Sequence, residues 1–124
     1  RVSIFMNVFN CHVNRFPASG EVTEILYKSG KFINASLNKS SEDNERNFVK
    51  FKHSNGDEMI LVQIAGLIAR RIVCNSKKDQ KIQQGEKFGI IRFGSRVDLY
   101  FNDFKILVKK NQTTVAGETL IAQK

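Results

Sequence analysis

Long apolar runs are missing from this chain of 124 residues. None approaches the roughly 18 to 20 residues that a bilayer-spanning helix needs, so no segment reads as a membrane span, and Arg1 to Arg15 lacks the organisation of a signal peptide. Cysteine is scarce. Cys11 and Cys74 stand far apart with no CxxC or Cys/His spacing, which argues against a zinc site and a disulfide framework and fits a reducing cytosolic setting. Histidine is equally scarce, with only His12 and His53. There is no HExxH, GxSxG, P-loop or dinucleotide fingerprint, so most enzyme classes have no foothold and no metal site is expected. Acidic residues are outnumbered, 12 Asp and Glu against 20 Lys and Arg. The resulting net charge of +8 points to an anionic partner, for which lipid headgroups and nucleic acids both qualify.

What is present describes a folded β domain. Hydrophobic residues at 41% and charged residues at 26% are ordinary globular values, and the length suits one domain, 1–124. Gly and polar clusters cut the chain into short pieces rich in β-branched and aromatic residues, so the expected fold class is all-β and mainly antiparallel. Val49 to His53 and Val97 to Phe101 alternate apolar and polar with period two, as half-buried strands do. Met59 to Ala65 and Phe88 to Phe93 are more continuously apolar and read as central strands. Leu67 to Val73 is read as a strand, although its Leu and Ala content also suits a short helix. Asn34 to Asn47 is the longest candidate loop. Gly-Glu pairs at Gly20-Glu21, Gly85-Glu86 and Gly117-Glu118 punctuate the strands, a pattern that resembles the sandwiched half-barrel of biotinyl and lipoyl carrier domains; any tight hairpin also uses Gly.

One pair of residues has chemical potential. In Arg92-Phe93-Gly94-Ser95-Arg96 a Gly-Ser sits between two strand-like segments, with no Pro or Asn to mark a simple turn. A Gly before a Ser permits backbone conformations that bend the Gly94 carbonyl toward the Ser95 hydroxyl. Attack would move the acyl group from nitrogen to oxygen, and elimination followed by hydrolysis would leave a pyruvoyl group in place of Ser95. Such a ketone is an electron sink that condenses with a substrate amine. Taken alone, a Gly-Ser pair is more often an ordinary bulge or hairpin turn.

Four blocks carry a more specific resemblance: Phe9 to Arg15 (FNCHVNR), Asn44 to Asn47 (NERN), Val62 to Cys74 (VQIAGLIARRIVC) and Arg92 to Arg96 (RFGSR). In this order and spacing the chain resembles the short bacterial type of phosphatidylserine decarboxylase proenzyme over essentially all its residues. The resemblance implies decarboxylation of phosphatidylserine to phosphatidylethanolamine by a pyruvoyl cofactor made from Ser95. Self-cleavage at Gly94-Ser95 would give a larger β subunit, 1–94, and a small pyruvoyl-bearing α subunit, 95–124, together forming a heterodimer. His12 matches the family histidine that assists decarboxylation or reprotonation, a role suited to a side chain titrating near neutrality. Phosphatidylserine, an anionic membrane surface and a peripheral location on the cytoplasmic face of the cell membrane are the implied partners and place; nucleic acid is not among them. Asn10 stands where the family usually has Asp, and the family's upstream apolar segment and SPADG-like motif have no counterpart in these residues.

Arg70, Arg71, Arg92 and Arg96 are candidates for the lipid phosphate, because a planar guanidinium pairs with phosphate oxygens in a bidentate way; solvated positions or pairs with carboxylates are the alternatives. His53 reads only as a strand residue. Two rival functions stay in view. A swinging-arm carrier would place its modified lysine at a tight hairpin, commonly beside Met, yet neither Met6 nor Met59 adjoins a lysine. A basic β-barrel binding nucleic acid would use exposed aromatics interleaved with Lys and Arg, whereas the alternation here sends aromatics to the core side.

Overall fold

Alternation along the chain is realised as strands over most of the residues that the computed structural model describes, namely 1–6, 13–31, 43–66, 71–91, 95–102, 104–114 and 121–123. The strands are Val2–Met6 (β1), Val13–Arg15 (β2), Gly20–Lys28 (β3), Arg46–His53 (β4), Glu58–Ile64 (β5), Ile72–Cys74 (β6), Lys81–Ile82 (β7), Lys87–Ile91 (β8), Ser95–Tyr100 (β9), Lys105–Ile106 (β10) and Ala122–Gln123 (β11). A six-stranded sheet runs β1-β9-β5-β4-β3-β7, a three-stranded sheet runs β2-β8-β6, and β10 pairs with β11. Every strand pairing is antiparallel. The all-β expectation holds for the described residues.

The two larger sheets share one core. Val22, Val49, Phe51, Leu61 and Leu99 of the six-stranded sheet belong to the same buried cluster as Phe16 and Phe88, which flank and form the small sheet. The Phe16 ring lies 4.9 Å from that of Phe88 and 5.6 Å, edge-on, from that of Phe51, so it joins the two layers. Burying an aromatic side chain of this kind stabilises the fold by about 2 to 3 kcal/mol. β4 shows the expected alternation, with Val49 and Phe51 buried and Lys52 exposed. β5 and β8 are central in their sheets, as their continuous apolar character suggested.

The turns follow local chemistry. β4 and β5 join through Ser54 to Asp57, where Gly56 adopts φ 99° and His53 N–H donates to the Asp57 carbonyl at 2.7 Å. Gly85, at φ 85°, occupies the turn between β7 and β8 and donates its N–H to the Phe16 carbonyl at 2.8 Å. Both positions are in the region that only Gly enters at little cost. Of the other Gly-Glu pairs, Gly20-Glu21 opens β3 and pairs with β4 and β7, and Gly117-Glu118 lies outside the described residues.

Three expectations change in detail. The polar stretch read as a loop to Asn47 gives way to strand at Arg46, with Asn44 and Asn47 both buried. The segment read as a strand from Leu67 narrows to Ile72–Cys74, its residues 67–70 lying outside the described set. In β9, Asp98 is on the nominally polar face yet wholly buried, because it meets a buried arginine rather than water.

Candidate functional site

Ser95 is the first residue of β9, which lies between β1 and β5. Two ladders therefore hold the strand: Met6 opposes Ser95 on one side, and Ile64 opposes Arg96 on the other. The Ser95 side chain is 1% exposed. By alternation it shares a face with Val97 and Leu99, which reach the core, while Arg96 and Asp98 share the opposite face.

That opposite face carries a buried ion pair. Arg96 Nε lies 2.9 Å from Asp98 Oδ1, and Arg96 Nη2 donates to Asp98 Oδ2 at 3.2 Å. Arg1 Nη1 approaches the same carboxylate at 3.7 Å, and the Arg96 guanidinium sits 5.7 Å from the centre of the Phe5 ring. A side chain so engaged pins the residue next to Ser95.

On the inner side, buried amides take over. Gln63 on β5 is wholly buried; its Nε2 donates to Asn14 Oδ1 at 2.9 Å and to the Val73 carbonyl at 3.1 Å, and its Oε1 accepts from Asn47 Nδ2 at 3.1 Å. Asn14 belongs to β2 and Val73 to β6, so one amide links the large sheet to both outer strands of the small one. Gly89 leaves the space: a Cβ there would run into the Val73 carbonyl oxygen and Gln63 Nε2. Just past β5, Asn44 Nδ2 donates to the Ala65 carbonyl at 2.7 Å, and Ala65 N–H donates to the Glu45 carbonyl at 3.0 Å. The NERN block thus fastens the end of β5 that flanks the head of β9.

Of the residues singled out from sequence, Ser95 and Arg96 lie together at the head of β9, and Arg71 is exposed just before β6. His12, Arg70, Arg92 and Gly94 lie outside the described residues. His53 ends β4, with its ring stacked 6.5 Å from that of Phe104. Sequence reasoning gave no role to Gln63, Asn14 or Asn47, and read Asp98 as the polar member of an alternating strand. The available signal was a glutamine in the middle of the apolar run Val62-Gln63-Ile64, a position a polar side chain occupies only with partners. No group of three or more His, Cys, Asp or Glu able to hold a metal ion occurs among the described residues.

These features define an antiparallel β domain in which a buried serine heads an interior strand of the largest sheet and clamps lie on both faces beside it. The profile of the phosphatidylserine decarboxylase family matches residues 1–122, and the chain belongs to that family. It is 65% identical over its whole length to the phosphatidylserine decarboxylase proenzyme of Pelagibacter ubique, covering 58% of that protein. It is 52% identical to the proenzyme of Saccharopolyspora erythraea over 99% of the chain and 52% of the relative. The Rickettsia typhi proenzyme is 54% identical over 98% of the chain and 53% of the relative. The chain therefore spans about half the length of the curated relatives it matches. No solved structure matches it.

Proposed function

We propose that this chain forms the catalytic domain of a pyruvoyl-dependent phosphatidylserine decarboxylase, in which Ser95 is both the agent of self-cleavage and the source of the cofactor. The observation that carries this reading is the burial of Ser95, 1% exposed, at the first residue of a strand paired on both sides. Such a strand end suits a group formed at the start of a new chain, since β9 keeps both ladders when the peptide bond before it is cut.

Cleavage proceeds by addition of Ser95 Oγ to the Gly94 carbonyl carbon, with breakage of the Gly94–Ser95 C–N bond. Elimination then frees residues 1–94 with a C-terminal carboxylate, and hydrolysis releases ammonia and leaves the pyruvoyl group on residues 95–124. When present, that group withdraws electrons from the bond to the substrate carboxylate. The chain's own residues do the rest. His12 holds the proton returned to the carbon that loses carbon dioxide. Arg70, Arg71 and Arg92 meet the lipid phosphate, while Arg96, committed to Asp98, holds the head of β9. The two fragments remain a heterodimer through the β1–β9 and β5–β9 ladders.

The net charge of +8 favours an anionic membrane surface, and the reading places the protein peripherally on the cytoplasmic face of the cell membrane. No helix among the described residues is long and apolar enough to cross a membrane. The test is the denatured mass of the purified full-length protein, followed by assay on phosphatidylserine vesicles. Two fragments divided after Gly94, the smaller lighter by one ammonia than a serine-started peptide, with carbon dioxide release, are expected. A single uncleaved chain without activity sinks the reading.

A further inference from the structure

The Gln63 amide occupies an unusual place for a purely structural group. It lies opposite Val97 in the β5–β9 ladder, and Val97 is two positions beyond Ser95 on the same face of β9. Two strand residues span about 7 Å, so the Gln63 row is the next side-chain row inward from Ser95. At its other end the amide donates to Asn14, the second residue of β2, and β2 begins directly after His12 in the chain. One side chain therefore ties the end of β5, in the row beside Ser95, to the strand that follows His12 in the chain.

The hydrogen-bond directions make this tie specific. Both acceptors that Nε2 meets, Asn14 Oδ1 and the Val73 carbonyl, lie on the small sheet, and the donor that Oε1 meets, Asn47 Nδ2, lies on the large one. Only a group with an NH2 on one side and an oxygen on the other satisfies all three. Leucine matches the size and satisfies none. Glutamate matches the shape and presents oxygen to two acceptors. The site is closed further by Gly89, whose missing Cβ is the space the amide fills. Apolar packing alone would hold the sheets together without choosing their register; a buried amide with fixed polarity does choose it.

We propose that Gln63 is a positioning residue for the reaction: it sets the placement of the small sheet against β5, and with it the side-chain row beside Ser95 on β9. This rests on the decarboxylase reading above. Displacements of about 1 Å between reacting groups can cost on the order of a hundredfold in rate. Gln63 itself need touch neither substrate nor cofactor.

The experiment compares wild type, Gln63→Leu and Gln63→Glu in the full-length protein. It records thermal melting, the extent of cleavage at Gly94–Ser95 by mass, and kcat, KM and the pH profile on phosphatidylserine vesicles. Folded, cleaved Gln63→Leu is expected to show kcat reduced about tenfold or more with KM within about twofold, or else slowed cleavage in a folded protein. Gln63→Glu is expected to regain rate as pH falls, because burial against two acceptors raises that carboxyl's pKa and protonation restores a donor toward Asn14. Wild-type kcat per folded, cleaved molecule in both variants overturns the proposal. Should neither variant fold, Asn47→Ala removes one of the three ties: lowered kcat at unchanged KM supports the proposal, and unchanged kcat overturns it. An uncleaved, inactive wild type overturns the decarboxylase reading and this inference with it, whereas an active wild type matched by active variants removes this inference alone.

Discussion

Arg96 and Asp98 face each other two residues apart on β9, Nε to Oδ1 at 2.9 Å, with side chains 1% and 0% exposed. A buried pair of this kind adds little over an apolar pair of equal volume, but losing one partner strands the other charge. Asp98→Ala should therefore destabilise the fold by about 3 to 5 kcal/mol, whereas Arg96→Met with Asp98→Leu should restore most of that loss. Urea unfolding of the single and double variants checks it. A cost below about 1 kcal/mol for Asp98→Ala would mean that the pair does not hold β9.

Gly89→Ala tests the space around the Gln63 amide. The added methyl meets the Val73 carbonyl and Gln63 Nε2 at distances no real Cβ adopts, so backbone or amide must move. We expect a loss of about 1 to 3 kcal/mol, the usual range for overpacking, measured by thermal or denaturant unfolding. Gly56→Ala, where a Cβ meets nothing within 4 Å but φ is 99°, should cost less, about 1 kcal/mol from backbone strain alone.

Tyr27 supplies a pH signature. Partial burial first and the hydrogen bond to Glu45 second push its phenol up to about 12 from the ordinary value of 10.0. A group whose folded pKa is raised contributes stability that is fully present below its unfolded pKa and is lost as pH rises through the folded value. The contribution from Tyr27 is thus intact near neutrality and disappears between about 10 and about 12. Glu45→Gln should lower the midpoint of Tyr27 ionisation followed by near-ultraviolet absorbance. An unchanged midpoint would show that Glu45 does not accept from this hydroxyl.

Phe16 is the aromatic link between the layers, in ring contact with Phe51 and Phe88 and 1% exposed. Phe16→Ala should cost about 3 to 5 kcal/mol, and Phe16→Leu markedly less, because the smaller cavity loses fewer contacts. Equilibrium unfolding of both variants gives the comparison. Equal losses would show that ring geometry, not volume, is what the site needs.

Period-two alternation and scarce helix signals were enough to read an antiparallel β domain from the amino-acid sequence, because side-chain direction along a strand is a local property. The same held for the central strands β5 and β8, whose apolar runs need cover on both faces. The four family blocks made the family legible as well, and they pointed to Ser95. What only the tertiary structure decided is where polar groups go when they leave water. Asp98 reads as a solvated strand position and is buried because Arg96, two residues back on the same strand, is itself buried against it, and Arg1, from the other end of the chain, reaches the same carboxylate. Gln63 reads as a stray polar residue in an apolar run and becomes the link between sheets because Asn14, 49 positions away in the chain, supplies its acceptor. Partners so distant in sequence leave no periodic trace, and a hydrogen bond depends on both ends being placed.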